Sequence, residues 1–67
     1  MNIILNNRPE TIDGKSITIS ELIIYKNYTF RLLVTKLNGK LVKRDERDKV
    51  MVNDGDTVEV LHLISGG

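Results

Sequence analysis

Residues 18–27 read Thr18-Ile19-Ser20-Glu21-Leu22-Ile23-Ile24-Tyr25-Lys26-Asn27, and this stretch decides the fold. Thr18 and Glu21 have the spacing of a capping box, in which the threonine oxygen takes the Glu21 N–H and the glutamate reaches back to the N-cap N–H. Ile19, Leu22 and Ile23 then recur at i, i+3 and i+4, laying one apolar stripe along a helix. Asn27 tolerates the left-handed conformation and is a natural stop. The spacing predicts one helix over residues 19–26, about two turns long.

The sequence on either side reads as strands. The apolar content is aliphatic, with 8 Ile, 8 Leu and 6 Val against one Phe, two Tyr and no Trp, and this β-branched bias favours sheet. Upstream, Ile3-Ile4-Leu5 is a short strand that ends at the turn formers Asn6-Asn7-Arg8-Pro9, and Thr11-Ile12-Asp13 returns until Gly14 stops it. Pro9 lacks an N–H and suits a strand start or an edge position. Downstream, residues 31–37 form a strand with Leu32-Leu33-Val34 as its expected buried centre. Asn38-Gly39 is the strongest hairpin signal in the chain, since both turn residues must take positive φ, and residues 40–42 run back from it. Lys43 to Lys49 carries four basic and three acidic residues and reads as a solvated loop. Val50-Met51-Val52 is a candidate for brief pairing before Asn53-Asp54-Gly55-Asp56 turns the chain. Residues 57–63 are the last strand, with Val58 and Val60 on one face and Glu59, Leu61 and Leu63 on the other.

The order is ββαβββ. A strand, a helix and a further strand usually make a crossover onto one sheet, so the expected class is α+β. Its architecture is a ubiquitin-like β-grasp, a mixed sheet with one covering helix. With 67 residues the chain is expected to be one domain, 1–67, with a flexible tail at 64–67. A chain of this size buries only about 60% of its unfolded surface.

Composition narrows the function. Ten Lys+Arg against nine Asp+Glu argue against nucleic acid as the main partner, which calls for a concentrated basic face. There is no cysteine, which removes disulfides, thiolate metal sites and thiol catalysis. A single histidine then leaves too few ligands for an ordinary zinc site, and no metal or bound cofactor is expected. Asp54-Gly55-Asp56 is read as a turn rather than a cation site. No apolar run suits a membrane span or a signal-peptide core, so no membrane association and a cytoplasmic location are expected. His62, the single histidine, reads as packing or contact surface rather than as a catalyst, because a general base needs a substrate pocket that the sequence does not advertise. Nothing suggests a free-standing enzyme.

The sequence ends Ser65-Gly66-Gly67. Such an end is ordinarily a frayed terminus. A side-chain-free tail can also thread a narrow channel and offer its carboxylate to another protein's active site. An α-carboxyl is an anion at neutral pH, able to attack an activated phosphate. Leu61 and Leu63, beside this tail on the outer sheet face, are candidates for a partner-docking patch, with half-buried sheet packing as the competing explanation.

Taken together, Thr18-Ile19-Ser20-Glu21-Leu22, Leu37-Asn38-Gly39-Lys40, Val52-Asn53-Asp54-Gly55-Asp56, Val58-Glu59-Val60-Leu61-His62 and Ser65-Gly66-Gly67 resemble the ubiquitin-like sulfur carrier family, most closely its thiamine (thiazole) branch. The resemblance implies a protein co-substrate rather than an enzyme. By it, the Gly67 carboxylate is adenylated by an E1-like adenylyltransferase that uses ATP. It then becomes a thiocarboxylate with sulfur from a cysteine desulfurase or a rhodanese-type donor, and passes the sulfur to thiazole synthase. Gly66, Ser65 and Ile64 would thread into the partner. Position 65 is often Gly or Ala in the family and is Ser here. The molybdopterin-synthase small subunit is a related alternative, usually longer and often with prolines before its diglycine. The other alternative is a ubiquitin-like binding module with no acyl chemistry.

Overall fold

A computed structural model describes residues 1–29 and 32–63. The first strand, β1 (Asn2–Leu5), pairs antiparallel with β2 (Arg8–Thr11). Their Asn6-Asn7 turn has φ of 51° and 67°, the positive values that a tight two-residue hairpin turn demands. The second strand therefore starts earlier than expected. Arg8 and Pro9 belong to β2, and Pro9 pairs with Ile4. β2 lies at the sheet edge, where a missing N–H costs least.

The helix α1 (Ile19–Tyr25) carries the expected capping box in full. The Glu21 N–H donates to Thr18 Oγ1 at 3.0 Å and the Thr18 N–H donates to Glu21 Oε1 at 3.0 Å. Lys26 is the C-cap, so the helix is one residue shorter than the spacing predicts, and Asn27 breaks it at φ 57°. Ile19 and Leu22 are fully buried and Ile23 packs against them. The backbone and side-chain hydrogen bonds from Thr18 hold the Glu21 carboxyl below its ordinary value. A lowered acid stabilises the fold above its unfolded-state pKa and loses that contribution as pH falls through the folded one. Thr18→Ala removes the N-cap oxygen that accepts the Glu21 N–H and is expected to cost about 1 kcal/mol. The share that belongs to the carboxylate is read with Glu21→Gln, whose difference from the parent protein should shrink in acid, as chemical denaturation at neutral and acid pH measures.

Beyond the helix, β4 spans Leu33–Leu37, β5 spans Lys40–Val42 and β7 spans Thr57–His62. With β1 and β2 they form one five-stranded mixed sheet in the order β2-β1-β7-β4-β5. β1 and β7 run parallel and the other pairs are antiparallel. The turn between β4 and β5 has Asn38 at φ 51° and Gly39 at φ 82°, as the Asn-Gly pair predicts. The ββαβββ order holds for this sheet, but two further short strands lie outside it. β3 (Ser16–Thr18) and β6 (Met51–Asn53) make a separate two-stranded sheet. The β6 pairing was expected without its partner. β3 has only three residues, the last of them the helix cap Thr18, too few to show a period.

The core comprises Ile3, Leu5, Ile12, Ile19, Leu22, Val42, Val52, Val58 and Val60. Strand β4 departs from expectation here. Leu32 is 52% exposed, Leu33 and Val34 are half-buried, and the fully buried residue is Thr35. A buried hydroxyl costs little when it is bonded, and Thr35 Oγ1 donates to the Val42 carbonyl at 2.8 Å.

The charged loop is also more ordered than expected, with a 3-10 helix at Arg44–Glu46. Half-buried Arg47 turns inward. Its guanidinium donates to the Leu33 carbonyl at 2.7 Å and to Thr35 Oγ1 at 3.1 Å, while its own carbonyl accepts the Ser20 N–H. Arg47 thus ties the loop to β4 and to the start of α1. On the opposite edge, Lys26 Nζ meets Glu10 at 2.9 Å, and that hydrogen bond raises the lysine above its ordinary value. This contribution is lost as pH rises through the folded-state lysine pKa.

Candidate functional site

Strand β7 precedes residues 64–67 in the chain, so its fixation comes first. On one side β4 holds it in register, with Leu37 opposite Val58, Thr35 opposite Val60, Val34 opposite Leu61 and Leu33 opposite His62. The ladder continues one bond further, the Leu63 N–H donating to the Leu32 carbonyl at 3.0 Å. On the other side β1 pairs only with Thr57 and Val58. Beyond it the Asn6 side chain takes over, its Oδ1 accepting the Val60 N–H at 2.8 Å. The positive φ of Asn6 places a carboxamide where the strand partner runs out, so β7 is clamped from both sides before the chain leaves it.

Val58 and Val60 face the core, and Leu61 and Leu63 alternate outward at 44% and 49% exposure. The half-buried packing considered for these two leucines is therefore not what the fold provides. The register adds residues that the sequence reading did not single out. Leu32 lies beside Leu63 on the continued ladder, and half-buried Val34 lies opposite Leu61. Lys36 faces Glu59 on one side and Leu41 on the other, and Leu41 is 61% exposed. The outer sheet face near the end of β7 thus presents Leu32, Leu61 and Leu63 together, with Leu41 further across. Leu41 was recoverable from the Asn-Gly turn, which fixes the β4–β5 register. Leu32 was not, because a strand centre and a strand entrance look alike in an apolar triplet.

Ile64, Ser65, Gly66 and Gly67 lie outside the described residues. His62 is exposed on the last position of β7. Asp54 and Asp56 belong to a turn, as expected. Asp54 Oδ1 accepts the Asn2 N–H, and Asp56 accepts the Asn53 N–H at 2.8 Å and an Asn38 side-chain N–H at 3.1 Å. Among the described residues no group of three His, Cys, Asp or Glu side chains could hold a metal ion, and no helix is long and apolar enough to cross a membrane.

Comparison with known proteins covers this whole arrangement. The model of the ThiS family matches residues 3–67. The crystal structure of a thiamine biosynthesis protein (ThiS) from Geobacter metallireducens is 35% identical, with all of both chains covered and a TM-score of 0.89. A solution NMR structure of a thiamine biosynthesis protein from the same organism is 35% identical over all of this chain and 88% of that one, with a TM-score of 0.81. An uncharacterized protein, ycf40, from Trieres chinensis is 25% identical over 61 residues, which is 91% of this chain and 84% of that protein.

Proposed function

The chain belongs to the ThiS family, and from that premise we propose that it is a sulfur carrier of thiamine (thiazole) biosynthesis, loaded at the Gly67 carboxylate. The observation that carries this reading is the extent of the family match, which runs through Gly66-Gly67 to residue 67. In the proposed cycle the carboxylate oxygen of Gly67 attacks the α-phosphorus of ATP on an E1-like adenylyltransferase, and pyrophosphate leaves. The terminal sulfur of a persulfide on a cysteine desulfurase or rhodanese-type donor then displaces AMP to form an acyl disulfide, a thiol reduces that disulfide to leave the thiocarboxylate, and thiazole synthase draws on it. The chain has no cysteine, so the backbone carboxylate is the group on which activated sulfur would ride. Ile64, Ser65 and Gly66 supply the narrow thread that brings it to the partner's nucleotide. The likeness to thiamine biosynthesis proteins of Geobacter metallireducens supports this branch over molybdopterin synthesis. Pyrophosphate release from ATP that depends on both the adenylyltransferase and this carrier tests the first step. Its absence with an enzyme active on its own carrier would count against the reading.

The exposed leucines at the end of β7 would seat the carrier on its partner while the tail is threaded. Burying an exposed leucine against a partner is worth about 1.5–3 kcal/mol, and an aspartate in its place would bury an unpaired charge. Leu61→Asp and Leu63→Asp are expected to weaken capture by the adenylyltransferase by about tenfold or more. Both side chains are exposed, so the thermal midpoint should hardly move. Titration of the partner and a melting curve on the same samples check both halves. A binding module without acyl chemistry would lose partner capture in the same way, yet would release no pyrophosphate.

A further inference from the structure

The sequence has a single Asn-Gly pair, Asn38-Gly39, and the structure treats it in an unusual way. Asparagine is among the chemically labile residues, and a following glycine, lacking Cβ, leaves its backbone nitrogen open to close approach. The reaction is internal. Gly39 N attacks Asn38 Cγ, the N–H proton is lost to solvent and ammonia leaves, giving a five-membered succinimide. Water then opens the ring at either carbonyl to give aspartate or isoaspartate. The net change is an amide nitrogen exchanged for an oxygen, with no oxidant or reductant.

Asn38 is exposed at the tip of the β4–β5 hairpin, but its carboxamide is held at both ends. Nδ2 donates to Asp56 Oδ1 at 3.1 Å and Oδ1 accepts the Thr57 N–H at 2.8 Å. The Asn38 backbone N–H donates to the Thr57 carbonyl at 2.7 Å. Asp56 is itself fixed, since its second oxygen accepts the Asn53 N–H. For Cγ to swing onto Gly39 N, both side-chain bonds must break. The same bonds join the hairpin tip to the first residues of β7, so one clamp serves two purposes.

We propose that Asn38 is a latent deamidation site, held closed by Asp56 and the Thr57 N–H, and that its conversion unlatches the β4–β5 turn from the base of β7. Conversion removes the Nδ2 donor and sets a carboxylate against the Asp56 carboxylate across the same short gap. Like charges at that separation repel, and isoaspartate additionally lengthens the turn backbone.

The test is ageing of the full chain in mildly alkaline buffer, followed by peptide mapping of the segment that contains Asn38. Asp56→Ala is expected to convert at Asn38 several-fold faster than the parent protein. Asp56→Asn gives the same comparison if alanine disturbs the turn, because its one oxygen cannot serve both the Asn53 and Asn38 donors. Thr18→Ala controls for general loosening and should accelerate conversion much less. Asn38→Asp, which mimics the product, should lower the denaturation midpoint. Equal rates in the parent and the Asp56 variants, equal acceleration by Thr18→Ala, or an unchanged midpoint for Asn38→Asp would each overturn the proposal.

Discussion

Deletion of Gly67 is expected to abolish sulfur loading while leaving the thermal unfolding midpoint unchanged. The stability half follows from where the core lies. Its members run from Ile3 to Val60, and the ladder that clamps β7 is complete by Leu63. End residues of a domain contribute little to its stability. The chemical half follows from reach. The shortened chain still ends in a carboxylate, but that carboxylate falls short by one residue, about 3.5 Å of extended backbone. A misplacement of about 1 Å can already cost about a hundredfold in rate. Loading should therefore drop by at least that factor, read as thiocarboxylate formed per unit time with saturating partners. Retained loading would move the reactive group away from Gly67.

Leu22→Ala is expected to have the largest effect on stability. Leu22 is completely buried and sits with Ile19, Val52 and Val58 where the helix meets the sheet. Truncating a buried leucine removes its transfer free energy and leaves a cavity, at a cost of about 2–5 kcal/mol. At roughly 0.05–0.15 kcal/mol per residue, a domain of 67 residues holds only about 3–10 kcal/mol in total. The variant should therefore be largely unfolded or close to its midpoint at 37 °C, seen as lost far-ultraviolet dichroism and a lowered denaturant midpoint. Ile24 lies two positions along the same helix and is 76% exposed. Ile24→Ala is expected to stay within about 0.5 kcal/mol of the parent protein. Similar losses for both variants would mean that the helix does not bury the face assigned to it.

The fold was legible wherever a local rule was strong enough to survive its context. The capping box at Thr18 and Glu21, the Asn38-Gly39 turn and the alternation along Val58, Val60, Leu61 and Leu63 each have a short-range cause, and each is observed. What stayed hidden depends on contacts distant in sequence. The β3 strand exists because Val52 and its neighbours come alongside Ser16–Thr18, and nothing in those three residues announces it. Arg47 looks like one more charge in a solvated run until the Leu33 carbonyl and the Thr35 hydroxyl are placed beside it. Thr35 displaces the expected leucines at the centre of β4 because Val42 offers its hydroxyl a carbonyl. The exposed leucine face was half legible for the same reason. Leu61 and Leu63 follow from the strand period, whereas Leu32 and Leu41 join them only through the pairing of β4 with its two neighbours.

The central claim is that sulfur rides on the carboxylate of Gly67. The most direct measurement is the intact mass of the full chain after incubation with ATP, the adenylyltransferase and a sulfur donor, with fragmentation to locate any change. The sulfur-carrier reading requires one oxygen replaced by sulfur, confined to residue 67 and dependent on ATP. An unchanged mass, with partners shown to load their own carrier, or sulfur located on any other residue, would contradict it.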